Sequence, residues 1–441
     1  MTEAVQKSTF AHLREDRRYA AMVGLGFSSG MPFLLVYITQ SAWLSEAKVP
    51  LELIGLMSWL TFAYKLKFLW APLLDQYDAP VLSRLLGRRR GWIVASQLAV
   101  AATLAGVAFG DPGARLAWTI LFSAALGVAG ATQDITIDGW RINAAPLEKQ
   151  PLMGSFAEMG YRVGNLAAGA GALYLADRFG WRASYLCMAA LMAPGMIAAL
   201  LAPEPDIDYE AARHPERPTL AAAIWAPIKE LFTRLGPLAI PVFLLIAGFR
   251  MPGYLTNAMA IPMFKALHYS DSDIATVTKL FGFGIAMAGV FLCSYLVPRI
   301  GLMTAMLLGT AAASASHLSL AWLAGHAGDS SGGEFWAFAL AVGVEGFAAS
   351  FATIVLITFM SSLAKAEFAG SQYSLMTSLC ALPGFLLAGF SGLIVERTGF
   401  VAFFQFTSLI GVPVALLCWW LWRHHHDAFS LRHAPGAPLA H

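Results

Sequence analysis

Residues Gln133 to Arg141, reading QDITIDGWR, close an apolar run that begins near Leu116. Asp134, Asp138 and Arg141 are spaced four and three apart, so on a helix they form one charged stripe. A carboxylate in such a run costs about 2.5–3.5 kcal/mol at the centre of a span, and chains that keep one give it protein partners and a task. Passage, coupling and gating are the tasks that fit. Asp134 is the candidate proton-coupling group, with Gln133 beside it as a candidate ligand contact. Asp138 and Arg141 are candidate gate residues; a helix-end ion pair at the membrane surface is the alternative reading of that pair.

Other charges inside apolar runs extend the set. Lys65 and Lys67, in YKLKFLWAP, are two apart and point to different faces of a helix. Either could neutralise Asp134; Lys65 is assigned to the ligand, with snorkelling as its alternative, and Lys67 to the gate. Glu158 and Arg162 lie one helical turn apart and are followed by Asn165. This spacing makes a favourable intrahelical pair, with Glu158 a coupling candidate and Arg162 and Asn165 ligand candidates. Farther along come Arg250, Lys279, His317, Glu345 and Gln372. Glu345, the sole acid within the later spans, is the natural partner of Arg250 or Lys279 and the third coupling candidate, because a buried carboxyl beside a cation can take up and return a proton. His317 reads as a satisfied core histidine rather than a proton site.

Several patterns carry no chemistry. Gly24, Gly26 and Gly30, like Gly282, Gly284 and Gly289, follow no strand and suit helix packing rather than phosphate binding. Cys187, Cys293, Cys380 and Cys418 all sit in apolar runs and read as small hydrophobes. His424, His425 and His426 close the last run, where they meet headgroups. No nucleophile–base set and no metal-ligand cluster is present, so neither an enzyme nor a cofactor or metal is expected.

The elements that must position these groups follow from composition. Of 441 residues, 58% are hydrophobic and 13% charged, against about 25% charged in a soluble protein. The net charge of +2 forms no basic face, which excludes nucleic acid as a partner. A span needs roughly 20 apolar residues. Twelve are expected, at 19–43, 52–74, 92–110, 116–139, 152–176, 183–202, 238–263, 273–297, 302–325, 335–360, 371–394 and 400–422. The first run has no small-residue cleavage site and is read as a retained helix. With the N-terminus inside, cytoplasmic pieces hold 18 Lys and Arg and outer loops 6. Both ends are therefore expected in the cytoplasm. The reading gives an N-terminal segment at 1–18, six spans at 19–202 and a polar, Pro-rich linker at 203–237. Six more spans follow at 238–422, with a tail at 423–441. Two six-helix halves around a central site is the layout of the major facilitator architecture, an all-α membrane fold.

Between the second and third spans lie Asp75-Gln-Tyr-Asp78 and Gly87-Arg88-Arg89-Arg90-Gly91-Trp92. This resembles the loop signature of the major facilitator superfamily, in which an Asp and an Arg cluster latch helix ends on the cytoplasmic face. The resemblance implies a gating role for Asp75, Arg88, Arg89 and Arg90; anchoring by the positive-inside rule is the simpler role for the same arginines. More specific blocks are GFSSGMPF (Gly26–Phe33), KFLWAPLLDQY (Lys67–Tyr77), QDITIDGWR, EMGYRVGN (Glu158–Asn165), LLAPEP (Leu200–Pro205) and GSQYSLMTSL (Gly370–Leu379). Together they resemble the AmpG-type muropeptide permeases over nearly all of residues 20–420.

That resemblance implies a monomeric bacterial inner-membrane carrier. It would import anhydromuropeptides, wall fragments of N-acetylglucosamine and anhydro-N-acetylmuramic acid with a short peptide, together with protons, for wall recycling and β-lactamase signalling. Arg162, Arg250 and Lys279 would hold carboxylates. Tyr64, Tyr161 and Tyr373 would face sugar rings, with Lys65, Gln133, Asn165 and Gln372 as further contacts. Departures exist: Gly253 stands where the family has Asp, Gly346 follows Glu345 where it has Asn, and two extra C-terminal helices of many members are missing. A siderophore or other anionic metabolite is therefore the alternative cargo, and a non-transporting sensor or embedded enzyme the alternative class.

Overall fold

The computed structural model describes residues 16–206, 220–326, 335–425 and 429, and among these every regular element is a helix. Lys7, Arg14, Arg213, Arg217 and Arg432, five of the 18 Lys and Arg counted as cytoplasmic, and His426 lie outside the described residues. Two units divide the chain: Met1–Lys229 with Ala364–Leu375, and Glu230–Leu363 with Met376–His441.

The first unit carries α1 (Arg17–Val36), α2 (Phe62–Leu66), α3 (Ala71–Gln76), α4 (Arg88–Ala108), α5 (Leu116–Ala144), α6 (Gln150–Leu166), α7 (Ala172–Ala190) and α8 (Ala193–Leu201). The linker helix α9 (Leu220–Leu235) leads to α10 (Ala239–Phe249), α11 (Met251–Ala266), α12 (Gly282–Ile300), α13 (Leu302–His326), α14 (Phe335–Leu363), α15 (Ala369–Ala388) and α16 (Ser391–His425).

Among the described residues nine helical stretches are long and apolar enough to cross a membrane. Ten of the twelve expected runs fall on them, the fifth and sixth sharing Leu147–Leu201. The eleventh begins on α15. The second is no single helix: α-helical turns at Leu51–Met57 and α2 alternate with 3-10 turns at Ser58–Thr61 and Lys67–Leu69 before α3. Pro72 explains part of this break, since it lacks an N–H and crowds the carbonyl four residues back. Kinks at Gly180 (φ 81°) and Gly399 (φ 77°) fall between the fifth and sixth expected runs and between the eleventh and twelfth, at a positive φ that costs other residues about 1–3 kcal/mol.

Helices α1 and α6 pack backbone against backbone. A Cβ on Gly26 would lie 2.2 Å from the Ala157 carbonyl oxygen, and one on Gly30 would lie 2.2 Å from that of Tyr161. From the other side, Gly160 and Gly164 would meet the carbonyls of Val23 and Phe27 at 2.1 and 2.2 Å. Two small-xxx-small pairs thus mesh, as membrane helices do when dispersion rather than water drives association. The unit's apolar core lies along the second half of α1, where Met31, Leu35, Leu104, Leu126 and Met188 are buried. Trp43 stacks on Trp181 at 5.7 Å, and the buried Tyr185 hydroxyl donates to Leu35 O at 3.0 Å. Asp16 caps α1 and pairs with Arg18 and Lys149. The Arg18 hydrogen bond chiefly lowers its carboxyl pKa to about 2. This stabilisation is complete above the ordinary Asp value of about 4 and fades only as the pH falls towards 2.

The second unit centres on Leu255, Met263, Phe338, Phe403 and Phe404, with Thr256 donating to Thr407 at 3.1 Å. In both units large apolar side chains face outward, Leu121, Ile240, Leu244 and Leu340 among them, as lipid-facing surfaces require.

Gly30→Ala is expected to destabilise the protein by about 1–3 kcal/mol, because the backbone contact cannot yield. Gly169→Ala, whose Cβ would meet only Leu34 Cδ1 at 3.7 Å, should change little. Thermal unfolding of the two variants in detergent measures the difference, and equal midpoints would contradict the contact.

Candidate functional site

Two constellations gather the sequence's candidates in the first unit. The first surrounds Asp134 on α5. Ser29 on α1 donates its hydroxyl to Asp134 Oδ1 at 2.5 Å, and Lys67 Nζ stands 3.9 Å from Oδ2. Lys67 is 6% exposed, so this ion pair is screened by protein rather than by water. Lys67 sits in the 3-10 turn Lys67–Leu69, which tightens the chain there. Lys65, two residues earlier, lies 5.9 Å from the Phe33 ring centre. Phe33 in turn meets Tyr64 edge to face at 5.3 Å. The Tyr64 hydroxyl rests against Gly130, where a Cβ would come within 2.1 Å of it.

Three buried polar groups here have no hydrogen-bond partner among the described residues: Tyr64 Oη, both side-chain atoms of Gln133, and Asn165 Oδ1. Gln133 is wholly buried. Such groups are rare in a finished interior, since each unpaired one costs about 1–3 kcal/mol. Glu158 and Arg162 on α6 form the expected pair at 2.9 Å, half-buried. Tyr161, next to Arg162, is half-buried on the same helix.

The second constellation is a clasp at the start of α15. Asp75, fully buried at the end of α3, accepts from Arg89 Nη1 at 2.7 Å, Ser371 N at 2.7 Å, Ser371 Oγ at 2.5 Å and Gly370 N at 3.3 Å. The carboxylate thereby satisfies orphan donors at a helix N-terminus, where its charge also suits the helix dipole. Arg88 donates to the Asp75 carbonyl and lies 3.6 Å from Asp78. Arg90 turns elsewhere and donates to Ala199 O and Leu200 O at the end of α8. Glu204 answers it by accepting from Arg89 N at 2.7 Å and Arg90 N at 3.0 Å, which caps α4.

Arg141 completes this end. Its guanidinium is 1% exposed, donates to Gln150 Oε1 at 2.8 Å, lies 3.5 Å from Asp138 and covers the Tyr373 ring at 4.9 Å. Gln372 is wholly buried: Oε1 accepts from Lys365 N at 2.8 Å and Nε2 donates to Pro227 O at 3.0 Å. The structure thus places Gln372 and Tyr373, expected as ligand contacts, among the groups of the clasp.

In the second unit, Arg250 is exposed at the break between α10 and α11, 5.8 Å from the Tyr254 ring. Lys279 is exposed in the π turn Thr276–Phe281, and Glu345 is half-buried on α14. His317 is buried on α13, and its Nδ1 meets no hydrogen-bond partner among the described residues.

A profile of the Major Facilitator Superfamily matches residues 19–388. The chain belongs to that superfamily. It is similar to the anhydromuropeptide permease of Escherichia coli (strain K12), with 29% identity over 412 residues, 93% of this chain and 81% of the relative. A transporter named AmpG 4 from Rickettsia felis is 28% identical over 409 residues, 92% of this chain and 97% of its own. Among solved structures, the proton:xylose symporter XylE bound to 6-bromo-6-deoxy-D-glucose has a TM-score of 0.64 at 13% identity. That match covers 96% of this chain and 97% of XylE. The human organic anion transporter MFSD10 reaches 0.62 at 15%, covering 91% and 99%. Superfamily membership and the permease relatives mark a multi-pass inner-membrane transporter and not an enzyme, one that is similar to AmpG-type permeases.

Sequence reasoning assigned no role to Ser29, Glu204, Gln150 or Ser371. Three of them lie inside blocks that carried the family resemblance, but a short polar residue in such a block gives no sign of its partner.

Asp75→Asn should weaken the amide contacts to α15. Losing charge-assisted bonds worth about 1.5–3 kcal/mol predicts roughly ten- to hundredfold faster hydrogen exchange at Gly370 and Ser371. Unchanged exchange there would mean that the clasp does not hold the helix start.

Proposed function

We propose that this protein is a proton-coupled importer of anhydromuropeptides, taking N-acetylglucosaminyl-anhydro-N-acetylmuramyl peptides across the inner membrane by alternating access. The observation that carries the reading is the half-buried Asp134, met by Ser29 and Lys67, with Tyr64, Gln133 and Asn165 left open on α2, α5 and α6. A carboxylate that shares a site with a lysine can exchange a proton as that lysine moves or is screened. Open amide and hydroxyl groups are what a sugar–peptide ligand would satisfy. The permease relatives support the cargo.

In this reading the chain has twelve spans in two six-helix halves, 19–202 and 238–422, joined by 203–237, with both ends in the cytoplasm, and it works as a monomer. Glu158 and Glu345 are the further coupling candidates. Tyr161, Arg162, Arg250 and Lys279 contact the ligand, whose carboxylates suit the cations. Lys65 serves the ligand from beside Phe33, while Gln372 and Tyr373, held in the clasp, reach it only when the clasp opens. Asp75, Arg88, Arg89, Arg90, Asp138 and Arg141 form the gate that must release once per cycle, and Lys67 links that gate to Asp134.

Gly253 and Gly346, where the resembled family has Asp and Asn, favour a second reading in which the cargo is a siderophore or another anionic metabolite. The two readings separate in one assay. Radiolabelled anhydromuropeptide is offered to proteoliposomes with and without an inward proton gradient, and gradient-driven accumulation is expected. Asp134→Asn should abolish accumulation while leaving exchange of labelled for unlabelled ligand; accumulation by the variant would remove Asp134 from coupling. Neither uptake nor binding by folded protein would overturn the cargo, and binding without uptake would make the chain a sensor.

A further inference from the structure

Linker helix α9 buries one side among the described residues. Pro227, Leu231 and Leu235 are buried. Pro227 O takes the Gln372 carboxamide at 3.0 Å. Farther along, Arg234 is held by Glu230 at 2.9 Å and donates to Leu363 O, the end of α14, at 2.6 Å.

Next to the buried side runs a different edge. Trp225 is 64% exposed and Phe232 45%, and at seven residues apart they share one line along the helix. Exposed Lys229 stands one turn from each of them. An aromatic edge flanked by Lys is the division of an interfacial helix, with rings at the acyl boundary and the ammonium at the headgroups. The edge also continues a lipid-facing wall. Phe232 packs 4.8 Å from Phe243 on α10, where Ile240 and Leu244 are 68% and 60% exposed.

We infer that α9 lies in the bilayer surface, Trp225 and Phe232 among acyl chains and Lys229 at the phosphates of anionic lipids. Through Gln372 the helix then steadies the segment 364–375, which carries Gly370 and Ser371 of the clasp, so that lipid charge reaches that segment. This seating depends on membrane residence alone and not on what the protein carries.

The full-length protein is placed in nanodiscs of phosphatidylcholine alone and of equal parts phosphatidylcholine and phosphatidylglycerol, and hydrogen exchange is followed by mass spectrometry across 220–235. One Lys at an anionic surface should slow exchange there about fivefold in the mixed bilayer. Lys229→Gln should erase that difference, and joint Trp225→Ser and Phe232→Ser should speed exchange in both bilayers. Unchanged protection across α5 in the same samples shows that the variants are folded. If the double variant loses α5 protection, the Lys229→Gln comparison decides by itself. Equal exchange of the native chain in both bilayers would overturn the inference and leave α9 a strut held by protein.

Discussion

A charge placed in hydrocarbon must be met by protein, and the interior of the first unit is arranged around that demand. Asp134 has a hydroxyl at 2.5 Å and an ammonium at 3.9 Å. The hydroxyl stands on α1, one residue before Gly30, whose backbone is pressed against Tyr161 of α6. Bare glycine contacts therefore fix the position of Ser29 to within the tolerance of a van der Waals surface. The ammonium comes from a 3-10 turn in a broken span, a place where the backbone can shift more readily than in a continuous helix. One partner of the carboxylate is rigid and the other is carried on a hinge-like element. That asymmetry suits a group whose charge has to change.

Helix ends supply the second set of partners. The N-terminus of α15 is neutralised by Asp75 and that of α4 by Glu204, while the last carbonyls of α8 and α14 are met by Arg90 and Arg234. Each contact joins a full charge to unsatisfied backbone groups, and Asp75 and Arg234 keep an ion partner as well, Arg89 and Glu230. The segment Ala364–Leu375 is counted with the first unit, although α15 continues from Met376 in the second. Asp75 and Arg141 hold that segment from α3 and α5, and its own Gln372 reaches Pro227 O.

Individual residues show where the sequence was legible. Asp134 announced itself as a carboxylate in an apolar run, and Lys65 and Lys67 were both available to it; the broken second span placed Lys67 there and Lys65 beside Phe33. Glu158 and Arg162 met because a four-residue spacing on one helix leaves little choice. The superfamily signature correctly marked Asp75 with an arginine, yet Arg90 is drawn to α8 by the Glu204 corner. The continuous span expected over 52–74 is a chain of short turns. The places of Gln372 and Tyr373 in the clasp were not legible, because a sequence gives no depth for a polar residue near the start of a helix.

What the sequence determined by itself is everything that depends on composition and local spacing: an all-helical membrane chain, where most helices run, which charges lie inside them, and the family to which they belong. These follow because hydrocarbon accepts only self-bonded backbone and because helical neighbours are set by the 3.6-residue repeat. The tertiary structure alone decided the partners of the charges that no local spacing pairs. Ser29 and Asp134 are 105 residues apart, and Asp75 and Ser371 are 296 apart. Over such separations no periodicity links one residue to another, and only the close packing of particular helices, governed by the glycines between them, brings the two together.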